Sequence, residues 1–153
     1  MNLSEHFTLS ELCKSDTASR LGINNITSDE EVIANLKSIC NFILEPIRTH
    51  YDIAFTPNSG FRSSALNKSI GSTNKSQHCK GQAVDIELIG VDNSDLALWI
   101  EENLNYDQLI LEYYQIGQPT SGWVHVSFIM PTVDNRNQSI TFDGNTYQTG
   151  LII

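Results

Sequence analysis

Ser76-Gln77-His78-Cys79-Lys80-Gly81-Gln82-Ala83-Val84-Asp85-Ile86-Glu87-Leu88 is the stretch from which the fold can be read. From Ala83 onward the residues alternate: Val84, Ile86 and Leu88 fall on one side of an extended chain, and Ala83, Asp85 and Glu87 on the other. His78 therefore sits in a loop leading into a strand that carries Asp85. Gly81 lets the backbone turn between them. Some forty residues later, Trp123-Val124-His125-Val126-Ser127 alternates in the same way, with His125 facing away from Val124 and Val126. Two imidazoles and a carboxylate, brought together from two strands and a loop, make a zinc ligand set. Structural zinc is usually closed by four protein ligands, whereas zinc that performs hydrolysis keeps a position open. His78, Asp85 and His125 are thus expected to bind Zn2+ at a reactive site.

The rest of the chain supplies helices and a small sheet around these strands. Thr8 and Glu11 form a capping box for a short helix ending near Cys13 or Lys14. Ser28 and Glu31 form another, ahead of Val32, Ile33, Leu36, Ile39, Cys40, Ile43, Leu44 and Ile47 at helical spacing. Pro46 is expected to disturb the last turns of that long helix. A short strand is expected over Ile53 to Thr56, a helix over Ser63 to Ile70, and a helix capped by Asp92 or Ser94 running to Asn103. Gln108 to Tyr113 and Trp123 to Ile129 read as antiparallel neighbours. Ser139 to Phe142 and Thr146 to Leu151 read as a hairpin around Asp143-Gly144-Asn145. The fold class is α+β, with helices packed on a small, mainly antiparallel sheet.

Composition narrows the function. A chain of 153 residues fits one domain, here taken as 1–153, and such a domain buries roughly 70% of its unfolded surface without a staple. Three cysteines, Cys13, Cys40 and Cys79, are too few and too scattered for a disulfide framework and read as reduced thiols. The opening residues lack the basic start and apolar core of a signal peptide, and no stretch is long enough to span a membrane. A soluble monomer made in the cytoplasm is expected, with no membrane partner. Eighteen acidic against nine basic residues give a net charge of −9, which opposes binding to a nucleic-acid backbone.

The motif of Ser76, His78 and Asp85, followed by Trp123-Val124-His125, resembles that of the zinc D-alanyl-D-alanine carboxypeptidases and related peptidoglycan peptidases. These share a superfamily with the hedgehog signalling domain and the vancomycin-resistance dipeptidases. Phe7-Thr8-Leu9-Ser10-Glu11, Gly22-Ile23-Asn24-Asn25, Ser59-Gly60-Phe61-Arg62-Ser63, Asp107-Gln108-Leu109-Ile110 and Asn135-Arg136 extend the likeness to the compact domains of phages and prophages. The resemblance implies a hedgehog/DD-peptidase-like fold and hydrolysis of the peptidoglycan stem peptide, as a carboxypeptidase or an endopeptidase. Lysis, a holin or carriage in a virion would then bring the protein to the cell wall. A catalytically inactive zinc-containing wall-binding module is the alternative, and a peptidase for ordinary L-peptides a third reading.

The resemblance also implies an acid that moves the proton of the attacking water. Several relatives carry it three residues before the motif's end, where this chain has Gly122. Glu112, at the end of the preceding strand, is the expected base, with Glu87 and Asp107 as weaker alternatives. Arg62 resembles the family arginine that grips substrate or polarises its carbonyl, as a guanidinium is suited to do. Ser76 is expected to bind substrate or cap a turn, and Trp123 to line the cleft or join the core. Gln77 and Lys80 have weaker support, Lys80 as a positive charge beside an anionic peptide. Cys79, His50, His6 and Trp99 carry structural readings only.

Overall fold

A computed structural model describes all residues, 1–153. Six helices, α1 (Leu9–Leu12), α2 (Asp16–Leu21), α3 (Glu30–Ile39), α4 (Glu45–Tyr51), α5 (Ser64–Ser69) and α6 (Asn93–Asn103), accompany five strands. The strands are β1 (Ala83–Ile86), β2 (Gln108–Glu112), β3 (Trp123–Ser127), β4 (Gln138–Phe142) and β5 (Tyr147–Thr149). They form one sheet in the order β1-β3-β2-β4-β5, antiparallel except where β4 runs parallel to β2. This is the α+β arrangement expected.

Alternation along the strands divides the sheet into a core face and a site face. Val84, Ile86, Leu109, Leu111, Val124 and Val126 are buried in one cluster with Leu36, Ile39, Ile43, Leu44, Ile47, Leu96 and Ile100 from the helices. The long apolar stripe read from the sequence is thus the helical half of the core. Its helix is not uniform: a π-helical turn, Cys40–Leu44, joins α3 to α4, and Glu45 N–H donates to Cys40 O. Pro46 explains this, since it offers no N–H to the turn before it and its ring crowds that turn. The proline widens the helix without ending it.

Two expectations need correction, and one element was not expected at all. The cap of α3 is Asp29 and not Ser28: its carboxylate accepts from Glu31 N–H at 2.9 Å and Val32 N–H at 3.1 Å, a stronger acceptor one residue further on. Ile53 to Thr56 is irregular; the neighbouring chain instead bridges the free edge of β1 further along, with Asp85 N–H donating to Ser59 O and Asn58 N–H to Asp85 O, both at 2.8 Å. Finally, α2 went unforeseen because it is short and buries only Ala18, leaving no periodicity to read.

Asn25 staples this architecture to the site. Its buried amide donates to Cys13 O at 2.8 Å and Phe61 O at 3.0 Å, while its oxygen accepts from Ser63 N–H at 2.8 Å. One side chain thereby holds the end of α1 against both neighbours of Arg62. Asn25→Ala strands these buried groups and should cost about 2–4 kcal/mol of stability, measured as a lower urea midpoint at unchanged slope.

Candidate metal centre and cleft

Strand register brings two of the three ligands together, and a turn delivers the third. Asp85 lies directly opposite His125 across β1 and β3, on the site face. His78 arrives on a 3-10 turn, Gln77–Lys80, capped by Ser76, whose hydroxyl accepts from His78 N–H at 3.3 Å. Gly81 ends that turn at φ 69°, and a side chain there would strike Val32 O in α3, so the close approach as well as the turn demands glycine. His78 is thus pressed between α3 and the start of β1.

The donor atoms face one another in a form suited to a cation. His78 Nε2 lies 3.4 Å and His125 Nδ1 3.0 Å from the same oxygen, Asp85 Oδ1, and the ligand atoms of all three residues fall within 4.8 Å of one another. His78 Nδ1 lies 2.7 Å from Gly60 O. A carbonyl only accepts, so Nδ1 carries the proton and Nε2 a lone pair. That Nε2 is buried with no hydrogen-bond partner and is aimed at a carboxylate, so a cation between them is what satisfies both. Protonation agrees: burial pushes the His78 imidazole down toward its neutral form. Burial opposes the Asp85 charge, but contacts with His125 and His78 overcome it and hold the carboxyl far below the usual carboxylate range. Neutral imidazole and ionised carboxylate are the forms a metal requires, and the two imidazoles with one carboxylate suit zinc.

Arg62 is built into the same cluster. Its guanidinium donates from Nη2 to Asp85 Oδ2 at 3.1 Å, from Nε to Ser59 Oγ at 3.1 Å and from Nη1 to Asn67 Oδ1 at 3.5 Å. Every nitrogen has a protein acceptor, so Arg62 fixes the orientation of the carboxylate ligand. Glu112 stands on the other side of His125, its Oε1 4.0 Å from Nδ1, and β2 places it on the site face opposite Trp123. Burial raises its pKa, with the Asp85 charge adding to the rise and His125 and Arg62 opposing it. The Trp123 indole N–H is buried without a full hydrogen bond, yet it leans on the same carboxylate and favours its charged form.

These residues line a cleft of about 640 Å3 that also contains Ser76, Gln77, Gln108, Ile110, Lys75, Arg136 and Tyr147. Lys80 is not among them; the cleft's cations, besides Arg62, are Lys75 and Arg136. The weaker candidate bases have other partners. Glu87 accepts from Asn58 Nδ2 at 2.6 Å, away from the cleft, and buried Asp107 accepts from Arg136 Nε at 2.9 Å, Arg136 Nη2 at 2.8 Å and Gln77 Nε2 at 2.9 Å. Asp107 therefore ties the histidine-bearing turn to Arg136. Cys79 takes no part in the ligand cluster, and all three cysteines are unpaired. His6 pairs with Glu45 at 2.8 Å, and His50 stacks on Trp99.

Position 122 has its own explanation. Gly122 adopts φ 62°, and a Cβ there would fall 1.9 Å from Glu112 O. No acid fits at that position. The strand connection packs its backbone directly on the end of β2, and the nearest carboxylate on the site face belongs to Glu112.

The model of the peptidase M15 family matches residues 5–127. The chain belongs to the peptidase M15 family. No curated protein matches it significantly. Membership accounts for the buried His-Asp-His triad, which is typical of M15 peptidases and consistent with zinc-dependent peptidase activity. The match ends at Ser127, so Arg136, Tyr147 and the whole β4–β5 hairpin lie beyond the residues matched to the M15 model.

Two measurements test this centre. The chain should bind one zinc ion, and His125→Ala should weaken binding by more than the roughly 10–100-fold that loss of an outer hydrogen-bond partner costs, as read by calorimetric titration. Hydrogen bonds from Arg136, and then from Gln77, overcome burial and hold the Asp107 carboxyl below its usual value. A depressed folded pKa contributes stability that is complete above the unfolded value of about 3.9 and lost as pH falls through the folded one. The stability gap between wild type and Asp107→Asn should accordingly be widest near pH 6 and shrink toward pH 3 in urea melts.

Proposed function

We propose that this M15 protein is a zinc metallopeptidase that hydrolyses an amide bond in the peptide stem of bacterial peptidoglycan. The observation that carries the reading is Glu112: a carboxylate with a raised pKa, beside His125 on the neighbouring strand, opening into the ligand cleft. When bound, zinc supplies Lewis-acid polarisation of the scissile carbonyl and acidifies a water. Glu112 takes the proton from the attacking water and returns it to the leaving amine, a task helped by a pKa nearer neutrality than that of an ordinary glutamate. Arg62 keeps Asp85 ionised and oriented, and its positive charge offsets charge building on the carbonyl oxygen.

Ser76 and Trp123, which both line the cleft, contact the peptide. Lys75 and Arg136 offset the acidic remainder of the chain and draw in a substrate that carries carboxylates. Such an enzyme meets its substrate at the cell wall, reached after lysis, through a holin or with a virion.

Digestion of purified sacculi and of defined stem peptides, followed by mass spectrometry, tests the activity, the substrate and the bond together. New termini should appear with zinc and vanish with chelator. Glu112→Gln should retain one zinc per chain while cleavage falls about 10²–10⁴-fold. Binding to sacculi without new termini would favour the wall-binding module, cleavage of ordinary L-peptides a different substrate, and full activity of Glu112→Gln a different base.

A further inference from the structure

The site face does not end at the cleft. Across β3, β2, β4 and β5 the register pairs Trp123 with Glu112, Glu112 with Phe142, and Phe142 with Tyr147, so these side chains share one face. Tyr113 leaves the strand at φ 56° and fills the gap in the row. Its ring lies 5.1 Å from Trp123 and 5.5 Å from Phe142, and Phe142 stacks on Tyr147 at 4.4 Å and 22°. The result is an unbroken aromatic row from the metal centre to the edge of the sheet. Tyr113 remains 45% exposed and Tyr147 64%. Contiguous exposed rings of this kind mark binding surfaces.

The cleft is polarised along β2. At the Gln108 end, Asp107 gathers Arg136 and Gln77, the latter next to Ser76 and Lys75. At the Glu112 end, roughly 14 Å away along the strand, stand the rings of Trp123, Phe142 and Tyr147. His125 lies between, opposite Ile110. A peptide carrying carboxylates belongs at the cationic end. The aromatic end suits a ligand with a flat C–H face and a hydroxylated rim: Phe142 and Tyr147 cover one face of each other, but the exposed rings of Tyr113 and Tyr147 leave surface that attracts polarised C–H groups, and their hydroxyls meet the rim. A pyranose has that shape.

We propose that the Trp123–Tyr113–Phe142–Tyr147 row is a sugar-binding platform that holds the amino-sugar chain to which the stem peptide is attached. The inference rests on the peptidase reading of the cleft: a stem peptide lying along β2 with its carboxylates toward Arg136 directs its sugar-bearing end onto the rings. Three of the four rings come from residues outside the strands that hold the metal ligands, and two of them from the hairpin beyond the M15 match. The platform is thus a selector for glycan-linked over free peptide.

The test uses the full zinc-loaded chain and two probes. In an NMR titration with the tetramer of N-acetylglucosamine, the resonances of Tyr113, Trp123 and Tyr147 should shift. Tyr147→Ala should weaken that binding about tenfold, and Tyr147→Phe, which keeps the ring, should restore most of it. In kinetics, a stem peptide bearing its disaccharide is compared with the free stem peptide. The preference of the wild type for the sugar-bearing substrate should fall about tenfold in Tyr147→Ala. An oligosaccharide that leaves the row unshifted overturns the platform, and so does a Tyr147→Ala variant whose preference is unchanged. If wild type cleaves neither substrate, the peptidase reading fails, and the titration still decides the platform by itself.

Discussion

Asp85 is the residue on which the rest of the site depends. Three side chains converge on its carboxylate: Arg62 donates to one oxygen, and the two imidazoles that would share a cation with it, His78 and His125, face the other. Its backbone is engaged too, accepting from Asn58 and donating to Ser59. A buried carboxylate held so firmly is costly unless its charge is answered from all sides. The answer is distributed through the fold: β3 delivers one imidazole, a 3-10 turn braced on α3 the other, and the segment before α5 the guanidinium. The helical core, the sheet and the loops meet at this one side chain.

That convergence explains why so much of the ligand set was legible in the sequence. Strand alternation fixes side, so Asp85 and His125 facing away from the valines already implies a shared face. The capping box at Thr8, the long apolar stripe from Val32 to Ile47 and the Asp-Gly turn are equally local signals, and each appears where its pattern falls. What stayed hidden is set by distant partners. Ile53 to Thr56 has strand-like residues, but β1's free edge is taken by Asn58 and Ser59. Arg136 and Tyr147 enter the cleft only because β4 docks parallel to β2, a pairing no local pattern reveals. Lys80, a weaker candidate for a positive charge beside the peptide, lies on the 3-10 turn yet outside the cleft, whereas Lys75 lines it.

The structure gives the two arginines of the cleft different surroundings. Gripping substrate and holding a metal ligand both suit a guanidinium. Arg62, with acceptors on Ser59, Asn67 and Asp85, is engaged with the protein on every nitrogen. Arg136 is bound to Asp107 through Nε and Nη2, and its side chain is more than half exposed at the mouth of the cleft. Arg62 is thereby committed to orienting the centre, whereas Arg136 keeps exposed surface in the cleft.

Gly122 bears on how such sites diversify. Since the carbonyl of Glu112 occupies the space a side chain at position 122 would need, an acid cannot migrate there by point substitution without first remodelling the β2–β3 connection. In this backbone a carboxylate is therefore carried at the end of β2 and excluded from position 122. Glycine at position 122 is thus the residue that lets the loop close tightly enough to leave the end of β2, and Glu112 with it, facing the ligands.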